Sequence, residues 1–271
     1  MPTLNVNDAS LFYQEAGTGA SVVLLHGLGS STVDWEPEMS ALARRYRVIA
    51  IDARGSGQSR DLTHPRGPFT VAQFAADTAA VIDHLDAGPA HIVGLSMGGM
   101  VAFQLAVDHP ASVRTLTIVN SGPALVPRTR QERTAIALRL VISRLFGPRG
   151  MARMLAPRLF PLPDQGPLRE RFKAGMARND KGAYIATQRA LIGWSVLDRI
   201  GAIDVPVLVV ASDQDYGFLS AKEAYTRMMK RAELVVVPDA RHALPMEDPP
   251  KFLAVLEPFL ARHAVPAVAA R

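Results

Sequence analysis

A serine at position 96 has the surroundings that most directly indicate chemistry. It is the middle residue of Gly94-x-Ser96-x-Gly98, which follows the apolar run 90–94 and precedes a helical pattern. Such a serine, at a sharp strand-to-helix turn, forms a nucleophile elbow that exposes the hydroxyl above the sheet. The helix that follows presents unpaired N–H groups, which favour a developing negative charge. The pattern therefore predicts Ser96 as the nucleophile of an acyl transfer.

A serine hydroxyl needs a base, and the base needs an acid that orients it. Of the seven histidines, His242 lies between the last predicted strand and the last predicted helix, at the sheet edge where Ser96 is expected. Asp213 and Asp215 follow the predicted strand 205–211 at that same edge. Asp215 is favoured because it lies further into the loop and can turn back toward His242, whereas Asp213 could cap the turn. The resulting order of serine, aspartate and histidine is typical of an elbow serine.

Two backbone N–H groups are expected to stabilise the oxyanion of such a reaction. Met97, directly after the serine, supplies the first. The segment His26-Gly-Leu28-Gly29 follows the predicted strand 21–25, and its glycines allow a bend that points the Leu28 N–H inward. We expect His26 to hold this loop by hydrogen bonds rather than to act as the base.

Side chains near these motifs are predicted to shape a substrate pocket. The predicted pocket residues are Trp35, Met100, Trp194 and Arg241, beside Leu28 and Met97. A position in the core is an equally good interpretation of Trp194. The chain contains no cysteine, which excludes a thiol nucleophile and thiolate ligands, and we expect neither a metal nor a cofactor.

The elements that position these residues follow an α/β pattern. Short runs of Val, Ile and Leu alternate with longer helical patterns, which indicates a mostly parallel sheet flanked by helices. Several runs are continuously apolar, as expected of central strands that are buried on both faces. The predicted strands are 10–15, 21–25, 47–51, 90–94, 114–119, 205–211 and 234–237, and the predicted helices are about 35–45, 70–86, 97–108, 219–230 and 249–263.

The segment between the strands that end near 119 and start near 205 is too long for a single crossover. Its helical patterns and proline breaks predict a helical cap over residues 122–200, inserted into a core domain formed by 1–121 and 201–271. The helical pattern 134–146 is amphipathic. We expect its apolar face to pack on the core, with contact to a membrane as the alternative.

Composition sets the broad class of the protein. Of the 271 residues, 48% are hydrophobic and 20% are charged, which is typical of a folded globular protein. The sequence has no apolar run long enough to span a membrane, and its first residues lack the order of a signal peptide. We therefore expect a cytoplasmic protein without membrane contact.

The net charge of +5 is unevenly distributed. Residues 122–200 carry 15 Lys and Arg against 5 Asp and Glu, so this segment has a balance of +10 and the rest of the chain has −5. Because the arginines are spread over several helical patterns, nucleic-acid binding is not expected. A solvated basic face is the favoured interpretation, and attraction of anionic substrates is the alternative. The oligomeric state stays open.

Together these motifs resemble the α/β-hydrolase superfamily, and the resemblance covers nearly the whole chain. The matching residues are His26-Gly27-Leu28-Gly29, Asp52-Ala-Arg54-Gly55-Ser-Gly57-Gln-Ser59, Gly94-Leu-Ser96-Met-Gly-Gly-Met100, Asp215 and His242. With Asp34-Trp35, they resemble the branch of esterases, 3-oxoadipate enol-lactonases and cofactor-free haloperoxidases. The serine at 96 argues against haloalkane dehalogenases and epoxide hydrolases, in which the nucleophile is an aspartate.

The resemblance implies a serine hydrolase of small-molecule carboxylic esters that acts through an acyl-enzyme. A lactone is a variant of the same chemistry, and the basic cap would suit one that bears a carboxylate. Perhydrolase or haloperoxidase activity, C–C bond hydrolysis and a small-molecule receptor that retains the triad are the alternatives. Two departures bear on the loop geometry: Arg241 and Ser212 stand where the family usually or often has glycine.

Overall fold

Nine strands form one sheet in the computed structural model, which describes residues 2–264. The strands are β1 (Thr3–Val6), β2 (Ala9–Ala16), β3 (Ser21–Leu25), β4 (Arg47–Ile51), β5 (Arg60–Asp61), β6 (Ala90–Leu95), β7 (Val113–Val119), β8 (Val207–Ser212) and β9 (Ala232–Val237). Their order is β1-β2-β4-β3-β6-β7-β8-β9, and β5 pairs with β2. The strands from β4 to β9 in this order are parallel, and β1, β2 and β5 pair antiparallel.

Helices cover both faces of the sheet. They are α1 (Glu36–Leu42), α2 (Val71–His84), α3 (Met97–Asp108), α4 (Arg130–Leu159), α5 (Gly166–Met176), α6 (Lys181–Leu191), α7 (Leu219–Thr226), α8 (Leu244–Glu247) and α9 (Pro249–Arg262). Side chains of β3 alternate between the two layers: Val23 packs with α2 and α3, and Val22 packs with α1 and α9. A strand with an apolar residue at every position is therefore buried on both sides.

The predicted fold class is confirmed: this is an α/β fold with a mostly parallel sheet. Each predicted strand corresponds to an observed one within about two residues, apart from β1 and β5, which the sequence did not indicate. The last helix begins after Asp248, as expected, because the Asp248 side chain accepts the Lys251 N–H at 3.0 Å. The two ends of the predicted core domain, residue 1 and residues 265–271, lie outside the described residues.

Three helices, α4 to α6, occupy the segment between β7 and β8. Helix α4 is broken at Gly147, whose φ of 63° is not helical. The two ends of the segment are paired, since the Leu125 N–H donates to the Trp194 carbonyl and the Gly193 N–H donates to the Leu125 carbonyl, each at 2.8 Å. The helices are where a cap was expected, and its boundaries at 122 and 200 stay a prediction.

One expectation for α4 is wrong. The apolar side chains of 134–146 do not all pack on the body of the protein, because Leu138, Val141, Leu145 and Phe146 are exposed. Ser143, on another side of the helix, is fully buried and marks the face that packs inward. Among residues 2–264, no helix combines the length and the hydropathy needed to cross a bilayer.

Candidate active site

Ser96 occupies the turn between β6 and α3, and its backbone is in an unusual conformation. Its φ is 53° and its ψ is −113°, values that few residues other than glycine adopt. The flanking glycines allow this close turn. A Cβ on Gly94 would lie 2.3 Å from the Gly98 carbonyl oxygen, and a Cβ on Gly98 would lie 2.1 Å from the Leu25 carbonyl oxygen. No larger residue fits at either position without moving the backbone.

His242 is hydrogen-bonded to Asp215. Its Nδ1–H donates to Asp215 Oδ1 at 2.7 Å, and the two side chains are 12% and 2% exposed. Asp213 instead bonds to the backbone of the loop before His242, because its Oδ1 accepts the Ala240 N–H at 3.1 Å. Of the two aspartates that the sequence left in competition, Asp215 is the one beside the histidine. The Tyr216 ring stacks on His242, with centroids 4.1 Å apart.

A buried lysine holds the other oxygen of Asp215. Lys222 Nζ donates to Asp215 Oδ2 at 2.5 Å and to Asn120 Oδ1 at 3.1 Å. Burial alone would raise the pKa of Asp215, but the hydrogen bonds and positive charges of His242 and Lys222 outweigh it and leave the pKa lowered. The carboxylate therefore stays ionised and keeps its place beside the imidazole.

Asn120 ties the histidine loop to the sheet. Its Nδ2 donates to Ser212 Oγ at 2.8 Å and to the His242 carbonyl at 3.0 Å, and its Oδ1 accepts the Ser212 N–H at 2.9 Å. Ser212 thus has a bonding role where relatives often have glycine. Asn120 and Lys222 were not predicted as site residues. The sequence offers little sign of either role. Asn120 contacts Ser212 and Lys222, which are more than 90 positions away, and Lys222 contacts Asp215 in the loop before its own helix.

The loop after β3 lies beside the serine. Gly27 is close enough that an added Cβ would be 3.8 Å from Ser96 Cβ. The N–H groups of Leu28 and Met97 donate to no partner within residues 2–264. His26 has the supporting role that was expected, since its Nε2 accepts the Ala53 N–H at 3.0 Å and its Nδ1–H donates to the Gly27 carbonyl at 2.7 Å.

The sequence matches, over residues 20–249, the family model described as alpha/beta hydrolase fold. The chain belongs to this α/β-hydrolase family. A proposed carbamate hydrolase of Azorhizobium caulinodans is 30% identical over 221 residues, covering 79% of this chain and 81% of that protein. A 3-oxoadipate enol-lactonase of Acinetobacter baylyi is 28% identical over 218 residues, or 79% of each chain. The crystal structure of an enol-lactonase from Burkholderia xenovorans superposes with a TM-score of 0.87 at 25% identity, covering 96% of this chain and 100% of that one.

The hydrolase has a cavity of about 610 Å³ that is lined by Ser96, His242 and Leu28. Most of its apolar lining residues come from the helices between β7 and β8. The apolar residues of these helices that line it are Ala135, Leu138, Ile142, Met151, Met154, Leu155, Leu159 and Phe172. Asn179 of the same segment donates to the Gly29 carbonyl at 2.8 Å, so these helices also hold the loop that carries Leu28.

The predicted pocket residues of the hydrolase need correction. Arg241 lines the cavity, where its charge is paired with Glu247 at 2.7 Å. Trp35 instead packs against Phe252 on the face of the sheet that α1 and α9 cover. Met100 lies in the core on the opposite face, which α2 and α3 cover. Trp194 donates from its ring to Gln104 at 2.6 Å and does not line the cavity either. Proximity to a motif in sequence did not reveal the face on which each side chain lies.

Three charged side chains of the cavity were not predicted individually. Arg139 and Arg158 come from α4, and Asp34 comes from the loop before α1. Asp34 accepts a hydrogen bond from Ser30, and burial raises its pKa. The excess of arginine in 122–200 was the signal for the first two. Within residues 2–264, no group of three metal-ligating side chains is placed to hold a metal ion.

Proposed function

We propose that this hydrolase cleaves small carboxylic esters through an acyl-enzyme on Ser96. The observation that carries the proposal is the 2.7 Å hydrogen bond between His242 Nδ1 and Asp215, on a cavity that Ser96 also lines. With its proton on Nδ1, the imidazole presents Nε2 as the acceptor for the serine proton.

In the proposed reaction, the Ser96 oxygen attacks the ester carbonyl carbon while His242 accepts the hydroxyl proton. The N–H groups of Leu28 and Met97 stabilise the oxyanion. His242 then gives the proton to the departing alkoxide, and the alcohol leaves. A water molecule attacks the acyl-enzyme with His242 as base, which releases the carboxylic acid and restores the serine hydroxyl.

The cavity wall favours a substrate with an apolar part. Apolar lining of this extent stabilises an acyl or alkyl chain, because burial of each CH₂ is worth about 0.8 kcal/mol. A small, polar carbamate would leave much of the cavity unfilled. We therefore expect the rate to rise with chain length until the cavity is full.

The test is steady-state hydrolysis of p-nitrophenyl esters from acetate to decanoate. We expect turnover with a chain-length optimum, and Ser96→Ala should lower kcat at least about 10⁴-fold without unfolding the protein. Ser40→Ala, an exposed serine on α1, is the matched control and should behave as wild type. If wild type and Ser96→Ala hydrolyse esters and lactones equally slowly, the proposal is wrong.

A carboxylate-bearing lactone is the second candidate substrate. Arg139 and Arg158 line the cavity, and neither forms a salt bridge to another residue in 2–264. Two similar proteins are named enol-lactonases, which adds weight to the same chemistry. A lactone panel with and without a carboxylate distinguishes the candidates, because Arg158→Gln should raise KM only for the anionic members.

A further inference from the structure

An apolar stripe runs along the N-terminal half of α4. It consists of Leu138, Val141, Leu145 and Phe146, which are 57%, 49%, 65% and 65% exposed. The first three are spaced three and four residues apart, so they lie on one face of the helix. A contiguous surface of large apolar side chains usually marks a place where a protein contacts a partner or a membrane.

An arginine cleft lies beside this stripe. It has a volume of about 560 Å³ and is lined by Arg66, Arg144 and Arg189, with no acidic residue in its wall. Arg144 stands between Val141 and Leu145 along α4. One of the three arginines is paired, since Arg66 lies 3.8 Å from Asp180. Arg144 and Arg189 form no salt bridge within residues 2–264, so the cleft keeps a positive charge.

The charged residues of the chain segment that carries the stripe have a single sign. Residues 133–163 contain six arginines and no aspartate or glutamate. A second copy of the chain, docked stripe to stripe, would bring arginines opposite arginines, since a two-fold interface places the same patch on both sides. The complementary partner is therefore anionic and has an apolar layer next to its charges.

We propose that the stripe and the arginine cleft dock on an anionic lipid surface. The stripe enters the boundary between headgroups and acyl chains, as amphipathic interfacial helices do, and the arginines of the cleft bind lipid phosphates. The docked face adjoins the catalytic cavity, because Leu138 belongs to both. This inference concerns binding alone and holds whether or not the protein hydrolyses esters. It replaces the expectation from sequence that the protein makes no membrane contact.

The experiment is co-sedimentation of the full chain with vesicles of phosphatidylglycerol or of phosphatidylcholine. We expect binding to phosphatidylglycerol that weakens at high salt, and little binding to phosphatidylcholine. Leu145→Ser should weaken binding about tenfold or more, and Arg144→Gln should weaken it about fivefold. The matched controls are Leu62→Ser, a 56% exposed leucine directly after β5, and Arg227→Gln, an exposed arginine directly after α7. Both should bind as wild type does.

Three outcomes would overturn the proposal. The first is an absence of sedimentation with either lipid. The second is binding that Leu145→Ser and Arg144→Gln weaken no more than their controls do. The third is a dimer in light scattering that Leu145→Ser dissociates, without vesicle binding, which would assign the stripe to a second copy of the chain.

Discussion

Two buried ionic clusters differ in whether one of their side chains lines the large cavity beside Ser96. In the first, Arg54 donates to Asp77 at 2.7 and 2.8 Å and to Asp61 at 2.5 Å, and all three side chains are almost fully buried. In the second, Lys222 and His242 share Asp215. We call them the Arg54 cluster and the Asp215 cluster.

The Arg54 cluster bonds only within the fold, since Arg54 also donates to the Asn7 carbonyl at 2.6 Å. It joins the loop after β4 to α2 and to the turn between β1 and β2. The Asp215 cluster instead ends on the His242 ring, which lines the cavity beside Ser96. A buried charge cluster with all its bonds satisfied internally holds the fold, whereas one that ends at a cavity can transfer a proton.

The largest effects should separate the two clusters. Asp215→Asn should lower kcat about 10⁴-fold, because the imidazole would lose the carboxylate that fixes its tautomer. Asp77→Asn should instead destabilise the fold by about 3 kcal/mol, since it removes one of the two carboxylates that pair with a buried guanidinium, with kcat per folded molecule almost unchanged. Ester hydrolysis measures the loss of kcat in Asp215→Asn, and urea unfolding measures the loss of stability in Asp77→Asn.

Asp213→Asn is the control for the first of these variants, since it alters an aspartate in the same loop that bonds only to backbone. Equal losses of activity in the Asp213 and Asp215 variants would remove Asp215 from its proposed role.

A smaller effect is expected at the cation of the Asp215 cluster. Lys222→Met should lower kcat by up to about 10²-fold, because Asp215 and the histidine would be held less firmly. Since Lys222 helps to lower the pKa of Asp215, its loss raises that pKa. Activity should therefore begin to fall at a higher pH on acidification than in wild type. The exposed Lys230→Met is the control, and a pH profile that matches wild type would contradict the prediction.

The last effect has no consequence for catalysis and concerns the pH dependence of stability at Glu38, a buried acid without a salt bridge in residues 2–264. Both carboxyl oxygens of Glu38 lack a partner within residues 2–264, and burial raises the pKa to about 8. The folded state then holds a proton that the unfolded state releases above its own pKa of about 4.3. Stability is fully present below that value and falls, by up to about 1.4 kcal/mol per pH unit, as the pH rises to 8.

Glu38→Gln should remove this dependence, and urea unfolding between about pH 5 and 8 would measure it. The exposed Glu36→Gln, on the same helix, should keep the slope of wild type. If the free energy of unfolding of Glu38→Gln changes with pH as steeply as that of wild type, Glu38 is not held protonated in the folded state.

The sheet and the positions of the candidate catalytic residues could be predicted from the sequence for one physical reason. Continuous apolar runs such as 21–25 mark strands buried on both faces, and the loops that follow parallel strands share an edge. The position of Ser96, Asp215 and His242 at one edge of the sheet could therefore be predicted from the sequence. Strand β5 could not be predicted, because two residues at the sheet margin carry no periodic signal.

Side-chain partners were less accessible from sequence. Asn120 contacts Ser212 over 92 positions, and nothing in the local sequence of either residue indicates the pair. The pocket predictions for Trp35, Met100 and Trp194 failed because sequence proximity does not fix the side of an element on which a residue points. The exposed face of α4 was the alternative and not the favoured expectation, since an amphipathic pattern does not reveal what covers the apolar side.

The backbone pairing of Leu125 with Gly193 and Trp194 has a further consequence. The chain leaves the sheet layer and returns to it at neighbouring points. Any segment that connects these points therefore has its two ends close together, whatever its length. The entropy of closing such a loop grows only slowly with the number of residues. A replacement for residues 126–192 of different size and lining should therefore be able to start and end at the same two points, and it would change the pocket above the serine. It must also supply the hydrogen bond that Asn179 donates to the Gly29 carbonyl.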